Sequence, residues 1–184
     1  MIHFQQVGNN PVWHSTYTGP TIDLSIETAD KSTNRNKTVL NVTSENTVQL
    51  RDYLKSSEFK NLVIDTVKSY RSIHRMYPDD FLNRIHECTT IGFQFHSQPR
   101  AFHHVHLDYR TNIAQGLIYF DEFHNSLHAT RVYPNYPSKT PVIESNTSRG
   151  NGILILNSHN SWHEGGNLST DIRYFVLYSL NINV

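Results

Sequence analysis

Thr90-Ile91-Gly92-Phe93-Gln94-Phe95-His96 is the stretch at which this chain changes period. Apolar side chains alternate there with small or polar ones, as in a strand buried on one face. Upstream the spacing is helical. Phe59, Leu62, Val63, Val67, Tyr70 and Ile73 recur at three- to four-residue steps, which predicts a helix from Glu58 to about Met76, ended by Pro78. Ser44 reads as the N-cap of a preceding helix through Thr47, Leu50 and Leu54, and a short helical turn is expected over Asp79–His86. Residues 1–43, rich in Thr, Asn, Pro and Gly, offer only short β-favouring pieces at Thr21–Ile26 and Thr38–Val42.

Downstream, strands are expected at Phe102–Asp108, Gln115–Asp121, Ala129–Tyr133, Gly152–Asn157 and Asp171–Asn181. The proline-containing segment Asn135–Gly150 reads as a long loop. Several short strands without interleaved helices indicate a mainly β sandwich or jelly roll with N-terminal helices packed outside. There is no internal repeat and no linker. The 184 residues are therefore expected to form one domain, with 1–88 as a supporting region and 89–184 as the jelly-roll core.

Bulk composition narrows the function classes. Net charge is zero with His neutral, which leaves no electrostatic footprint for nucleic acid. Mean hydropathy is −0.52, and no apolar run approaches the roughly 18 residues that span a bilayer. The N-terminus lacks the basic and apolar regions of a signal peptide, and the single Cys88 precludes an intramolecular disulfide; a cytoplasmic location is the economical expectation. Cys88 itself reads as a small buried hydrophobe.

Chemistry concentrates in three places. His106-Leu107-Asp108 would, on one strand, project two ligands from the same face. His163 follows in a turn-like segment, Asn160 to Gly165, before the last strand. Two imidazoles and one carboxylate are the donor set that holds a non-haem Fe(II) on one side and leaves other positions open. With 12 His in the chain, chance alone supplies roughly half an HxD triplet, so the context downstream carries the weight. Arg173 is that context. Alternation sets Arg173, Phe175 and Leu177 on one face and Tyr174, Val176 and Tyr178 on the other. An arginine among inward apolar neighbours needs an anion, either a protein carboxylate or a ligand. By the same alternation His104 shares the face of His106 and is expected on the site wall, with His103 on the outer surface; Trp162 is expected to pack the barrel mouth.

HVHLD, GLIYFD, GNGILILNSHNSWHEG and IRYFVLYSL together resemble the double-stranded β-helix (cupin-like) core of the Fe(II)/2-oxoglutarate-dependent oxygenases, most closely their prolyl-4-hydroxylase-type branch. The resemblance covers roughly half the chain, from Thr90 onward. It implies that His106, Asp108 and His163 bind Fe(II), that Arg173 and Tyr119 hold the distal carboxylate of 2-oxoglutarate, and that dioxygen is the third reactant. The implied activity is hydroxylation of a C–H bond, with succinate and carbon dioxide as co-products. Asp108 itself points to a hydroxylase or a desaturase-like oxidase, since related halogenating enzymes carry a small residue there. His96 stands where the family often has a tyrosine touching the co-substrate. Asn125-Ser126-Leu127-His128 replaces a Gly-Gly-acidic element, so the substrate side is not inherited. A peptide or prolyl group, a free amino acid or a small metabolite is the expected substrate class, with 1–43 and Glu122–Arg149 as specificity elements.

Two other readings use the same residues. His104-Val105-His106-Leu107-Asp108 matches the HxHxD of zinc-dependent hydrolases, although Tyr109 stands where that motif continues with His. A non-catalytic metal-binding jelly-roll module would require a closed, four-ligand site.

Overall fold

A computed structural model describes residues 1–32, 37–108 and 110–183. Among the described residues, twelve strands form two antiparallel sheets: β1 Ile2–Gln6, β2 Val12–Tyr17, β3 Thr28–Ser32, β4 Thr38–Asn41, β5 Thr89–Gln98, β6 Ala101–His106, β7 Asn112–Tyr119, β8 Arg131–Tyr133, β9 Ile143–Glu144, β10 Asn151–Leu156, β11 Trp162–Asn167 and β12 Arg173–Ile182. The larger sheet runs β1-β2-β10-β7-β12-β5-β4-β3, and the smaller runs β6-β11-β8-β9. The fold is mainly β with a jelly-roll core, as the change of period predicts.

Side-chain alternation explains why helices lie outside. Along β7, β10 and β12, one set of residues (Leu117, Tyr119, Ile153, Ile155, Phe175) joins the inner core between the sheets. The alternate set (Ile118, Leu154, Leu156, Val176, Tyr178, Leu180) joins a second core with the helices α1 Glu45–Lys55 and α2 Ser57–Lys68. The central strands are thus buried on both faces, which is why Gly152–Asn157 reads as nearly continuous apolar sequence. Leu50, Leu54, Phe59, Val63, Ile64 and Val67 are the helical contribution, each at most 1% exposed. Phe59 meets Tyr178 edge-on at 5.2 Å.

Several local expectations are corrected. The helix foreseen from Glu58 to Met76 stops at Lys68, where Ser69 closes it and a non-helical turn leads into the separate α3, Ile73–Met76. Two further short helices, α4 Asp79–Asn83 and α5 Ile85–Cys88, stand where one helical turn is expected. Ser44 occupies the N-cap position of α1, but its hydroxyl turns to Glu27 and Thr47. Glu27, itself accepting from the Thr43 and Ser44 amides, anchors the N-terminal strands to the helices. Thr21–Ile26 forms a 3-10 turn over Leu24–Ile26 in place of a strand, because Asp23 accepts from the Ser25 amide and bends the chain. β9 lies within the segment read as loop, and β1 and β2 add an edge to the larger sheet. Cys88 is a half-buried free thiol. Among the described residues no helix is long and apolar enough to cross a membrane.

Candidate active site

β6 and β11 lie side by side in the smaller sheet, with His106 the register partner of His163. β6 ends at His106, so Asp108 sits in the connection that follows rather than on the strand. That connection is held by Asn157, whose amide donates to the carbonyls of Asp108 and Asn112. One ligand atom from each of His106, Asp108 and His163 falls within 4.8 Å of the others.

The hydrogen bonds settle which nitrogens are available. His106 Nδ1 lies 2.7 Å from the His104 carbonyl oxygen, and His163 Nδ1 lies 3.0 Å from that of Ser161. A carbonyl only accepts, so each Nδ1 carries the proton and each Nε2 presents a lone pair. His163 is 5% exposed, and its Nε2 is buried without a hydrogen-bond partner, 3.7 Å from Asp108 Oδ1. Burial holds this imidazole below its ordinary pKa; Asp108 opposes the shift and His106 adds to it. A neutral ring with an orphaned lone pair beside a carboxylate is chemically suited to a divalent cation. The donor set fits Fe(II) as the sequence predicts.

A cavity opens between the sheets next to this trio. His106 and His163 stand at one part of its wall, and Arg173 at another. Arg173 is 2% exposed. Its Nη1 donates to the Gly166 carbonyl at 2.8 Å, its Nε has no partner, and its guanidinium lies 4.5 Å from the Phe175 ring centre and 5.0 Å from that of Tyr119. Burial lowers its pKa, countered by Tyr119 and Asp121. No carboxylate among the described residues comes within ion-pair distance, so the alternative of a structural salt bridge is not what holds Arg173. Gly166 is needed for this contact. Its φ is +146°, and a Cβ there would stand 2.4 Å from the Ala101 carbonyl oxygen.

Tyr119 and His96 are not among the residues lining the cavity. Tyr119 is fully buried, with its hydroxyl 2.9 Å from both Thr130 Oγ1 and Ser145 Oγ; Thr130 is the residue that reaches the wall. His96 lies against Phe175 with ring centres 5.2 Å apart, and both of its nitrogens are unpartnered. Burial, with Lys37 close by, pushes its pKa down to about 4.

His103 and His104 exchange the positions expected of them. His103 lines the cavity, and His104 is exposed. The cause is a bulge. Between the pairs His163–His106 and Gly165–His103, β11 advances two residues while β6 advances three. The extra residue breaks the alternation and turns His103 inward beside His106, ring centres 6.5 Å apart. With His104 outside the ligand trio, HxHxD does not act as one zinc-binding unit; Tyr109 lies outside the described residues. Trp162 stacks on Tyr136 at 5.2 Å. Lys37, ahead of β4, lines the cavity with its ammonium 5.4 Å from the Phe175 ring centre. Nothing in the sequence around Lys37 marks it, because its position depends on β4 pairing with β5.

The jelly-roll core carries two histidines and an aspartate at one part of its cavity and a buried arginine at another. Its fold is similar to that of solved prolyl hydroxylases. A Pseudomonas putida prolyl-4-hydroxylase superposes with a TM-score of 0.51 at 12% identity, over 87% of this chain and 79% of its own. A Trichoplax adhaerens prolyl hydroxylase, solved in complex with a hypoxia inducible factor peptide fragment, gives a TM-score of 0.50 at 16% identity over 82% and 66%. No family model and no curated protein matches the sequence.

Proposed function

We propose that the chain is an Fe(II)- and 2-oxoglutarate-dependent dioxygenase that hydroxylates a C–H bond of a peptide or small-molecule substrate. One observation carries this reading. The orphaned Nε2 of His163, beside His106 and Asp108, and the carboxylate-free guanidinium of Arg173 face the same cavity. His106, Asp108 and His163 would hold the metal. Bound there with 2-oxoglutarate and dioxygen, Fe(II) supplies the oxidative chemistry that yields succinate, carbon dioxide and a hydroxylated product.

The chain's own residues bind, orient and exclude water. Arg173 takes the distal carboxylate with the donors it does not spend on Gly166. Tyr119 supports that end from behind, holding Thr130 in the wall and laying its ring beneath the guanidinium. His96, neutral at physiological pH, backs Phe175 without adding charge. Leu117, Ile153, Ile155 and Leu177 line the cavity and keep water from the reacting atoms. The peptide alternative draws support from the Trichoplax adhaerens neighbour.

The test is an anaerobic titration with Fe(II) and then 2-oxoglutarate. A visible charge-transfer band requiring both components, absent in His163→Ala, supports the assignment. Tight zinc binding with no band would refute it.

A further inference from the structure

On the function proposed above, the distal carboxylate of 2-oxoglutarate meets Arg173, and a carboxylate offers about four lone-pair sites. The guanidinium fork fills two of them. Tyr119, the second donor that the resemblance implies, does not reach the others. Its hydroxyl is turned to Thr130 and Ser145, and the residue does not line the cavity. Another polar side chain stands closer to the need. Gln98 closes β5 and is the register partner of Arg173 on β12, so the two side chains rise side by side from the same face of the sheet. Both line the cavity.

The bonding of Gln98 is incomplete. The residue is fully buried, yet its Oε1 has no partner, and its Nε2 reaches only the Ala101 carbonyl, at 3.5 Å. That distance is the outer edge of a hydrogen bond, and the second N–H of the amide is unspent. The backbone beneath is fixed, because the Asn167 amide donates to the Gln98 carbonyl at 2.9 Å. A buried carboxamide bonded this poorly costs stability unless something completes it. Arg173 carries the complementary orphan, an Nε–H without an acceptor.

We infer that Gln98 is a second recognition residue for the distal carboxylate, its Nε2 donating to the ligand while its Oε1 accepts from Arg173 Nε. A carboxylate brings no donor of its own, so Oε1 takes one from the protein, and the neighbouring side chain holds it. One turn of the carboxamide then satisfies both orphans and leaves the two terminal nitrogens of Arg173 facing the ligand.

The experiment uses the full chain loaded anaerobically with Fe(II) and reads the charge-transfer band. The probes are 2-oxoglutarate and 2-oxopentanoate, which has a methyl group in place of the distal carboxylate. Gln98→Leu should weaken 2-oxoglutarate about 10- to 100-fold, the loss of one hydrogen bond to a charged group, and leave 2-oxopentanoate within about threefold. Gln98→Glu should weaken 2-oxoglutarate further, because a second carboxylate then competes for Arg173. Thermal unfolding of the metal-free Gln98→Leu protein should come at the same or a higher temperature, since a poorly bonded polar group is gone. A 2-oxoglutarate affinity within threefold of the unmodified protein overturns the inference. Equal weakening of both keto acids, or a clear fall in melting temperature, also overturns it, because Gln98 would then serve packing. No band in the unmodified protein with Fe(II) and 2-oxoglutarate would overturn the oxygenase reading, and this inference with it; a band that is merely insensitive to Gln98 overturns this inference alone.

Discussion

Replacing Arg173 with Met tests whether its guanidinium waits for a ligand. The side chain is 2% exposed, one of its five N–H donors is given to the Gly166 carbonyl, and its Nε has no partner. Two charge-assisted hydrogen bonds to a carboxylate are worth about 3–6 kcal/mol together. Arg173→Met should therefore weaken 2-oxoglutarate by roughly two to four orders of magnitude. Folding should respond differently. Methionine fills much of the same volume and removes a buried charge with no partner, against the loss of one hydrogen bond of about 1 kcal/mol. Apo-protein stability should thus change by no more than about 1 kcal/mol in either direction. A structural ion pair would instead cost about 3–5 kcal/mol on losing one member. The assay pairs thermal unfolding of the metal-free protein with anaerobic titration of the Fe(II)-loaded form by 2-oxoglutarate. Unchanged affinity would refute the assignment, whatever happens to the melting temperature.

His106→Ala, Asp108→Ala and His163→Ala should each abolish Fe(II) binding, read as metal per protein after desalting; retained stoichiometry in any of them removes that ligand. Tyr119→Phe deletes two hydroxyl contacts but leaves the Thr130 amide on Ser145 Oγ at 2.9 Å. It should cost about 1–2 kcal/mol in denaturant unfolding and weaken 2-oxoglutarate only severalfold, through Thr130. An undiminished affinity would place Tyr119 wholly in the core. The His96 pKa falls from 6.5 to about 4 on folding, so the unfolded chain binds its proton more readily. Stability from this residue is complete above pH 6.5 and is lost as pH falls toward 4, by about 3 kcal/mol for a shift of this size. His96→Phe should flatten that part of the pH–stability curve, and a curve parallel to the unmodified protein would count against a buried neutral imidazole.

The core is legible in the sequence because it rests on short periods, whereas His106, Asp108 and His163 stand out by residue type and are brought together by strand pairing. Alternation alone puts Arg173, Phe175 and Leu177 on the cavity side and Tyr174, Val176 and Tyr178 against the helices, and the structure agrees. What escapes is non-local. β1 and β2 are strands because they add to β10, and β11 is a strand because it lies between β6 and β8. Trp162–Asn167, with two glycines, has little strand propensity of its own. The positions of His103 and His104 were beyond periodicity, since one bulge defeats it and nothing in Phe102–His106 announces one. Lys37 owes its place to strand pairing fifty-odd residues away.

The register pairing of His106 with His163 carries a consequence for motion. The two strands that present the ligands belong to the smaller sheet, which is completed only by the short β8 and the two-residue β9. An ion bonded to both rings would act as a rivet through β6 and β11 at the place where the bulge interrupts their ladder. Amide hydrogens of these strands should then exchange with solvent much more slowly in the metal-loaded protein, while those of β7, β10 and β12, clamped between two cores, should be indifferent to it. Loading the site would tune the breathing of one wall of the cavity and leave the other rigid.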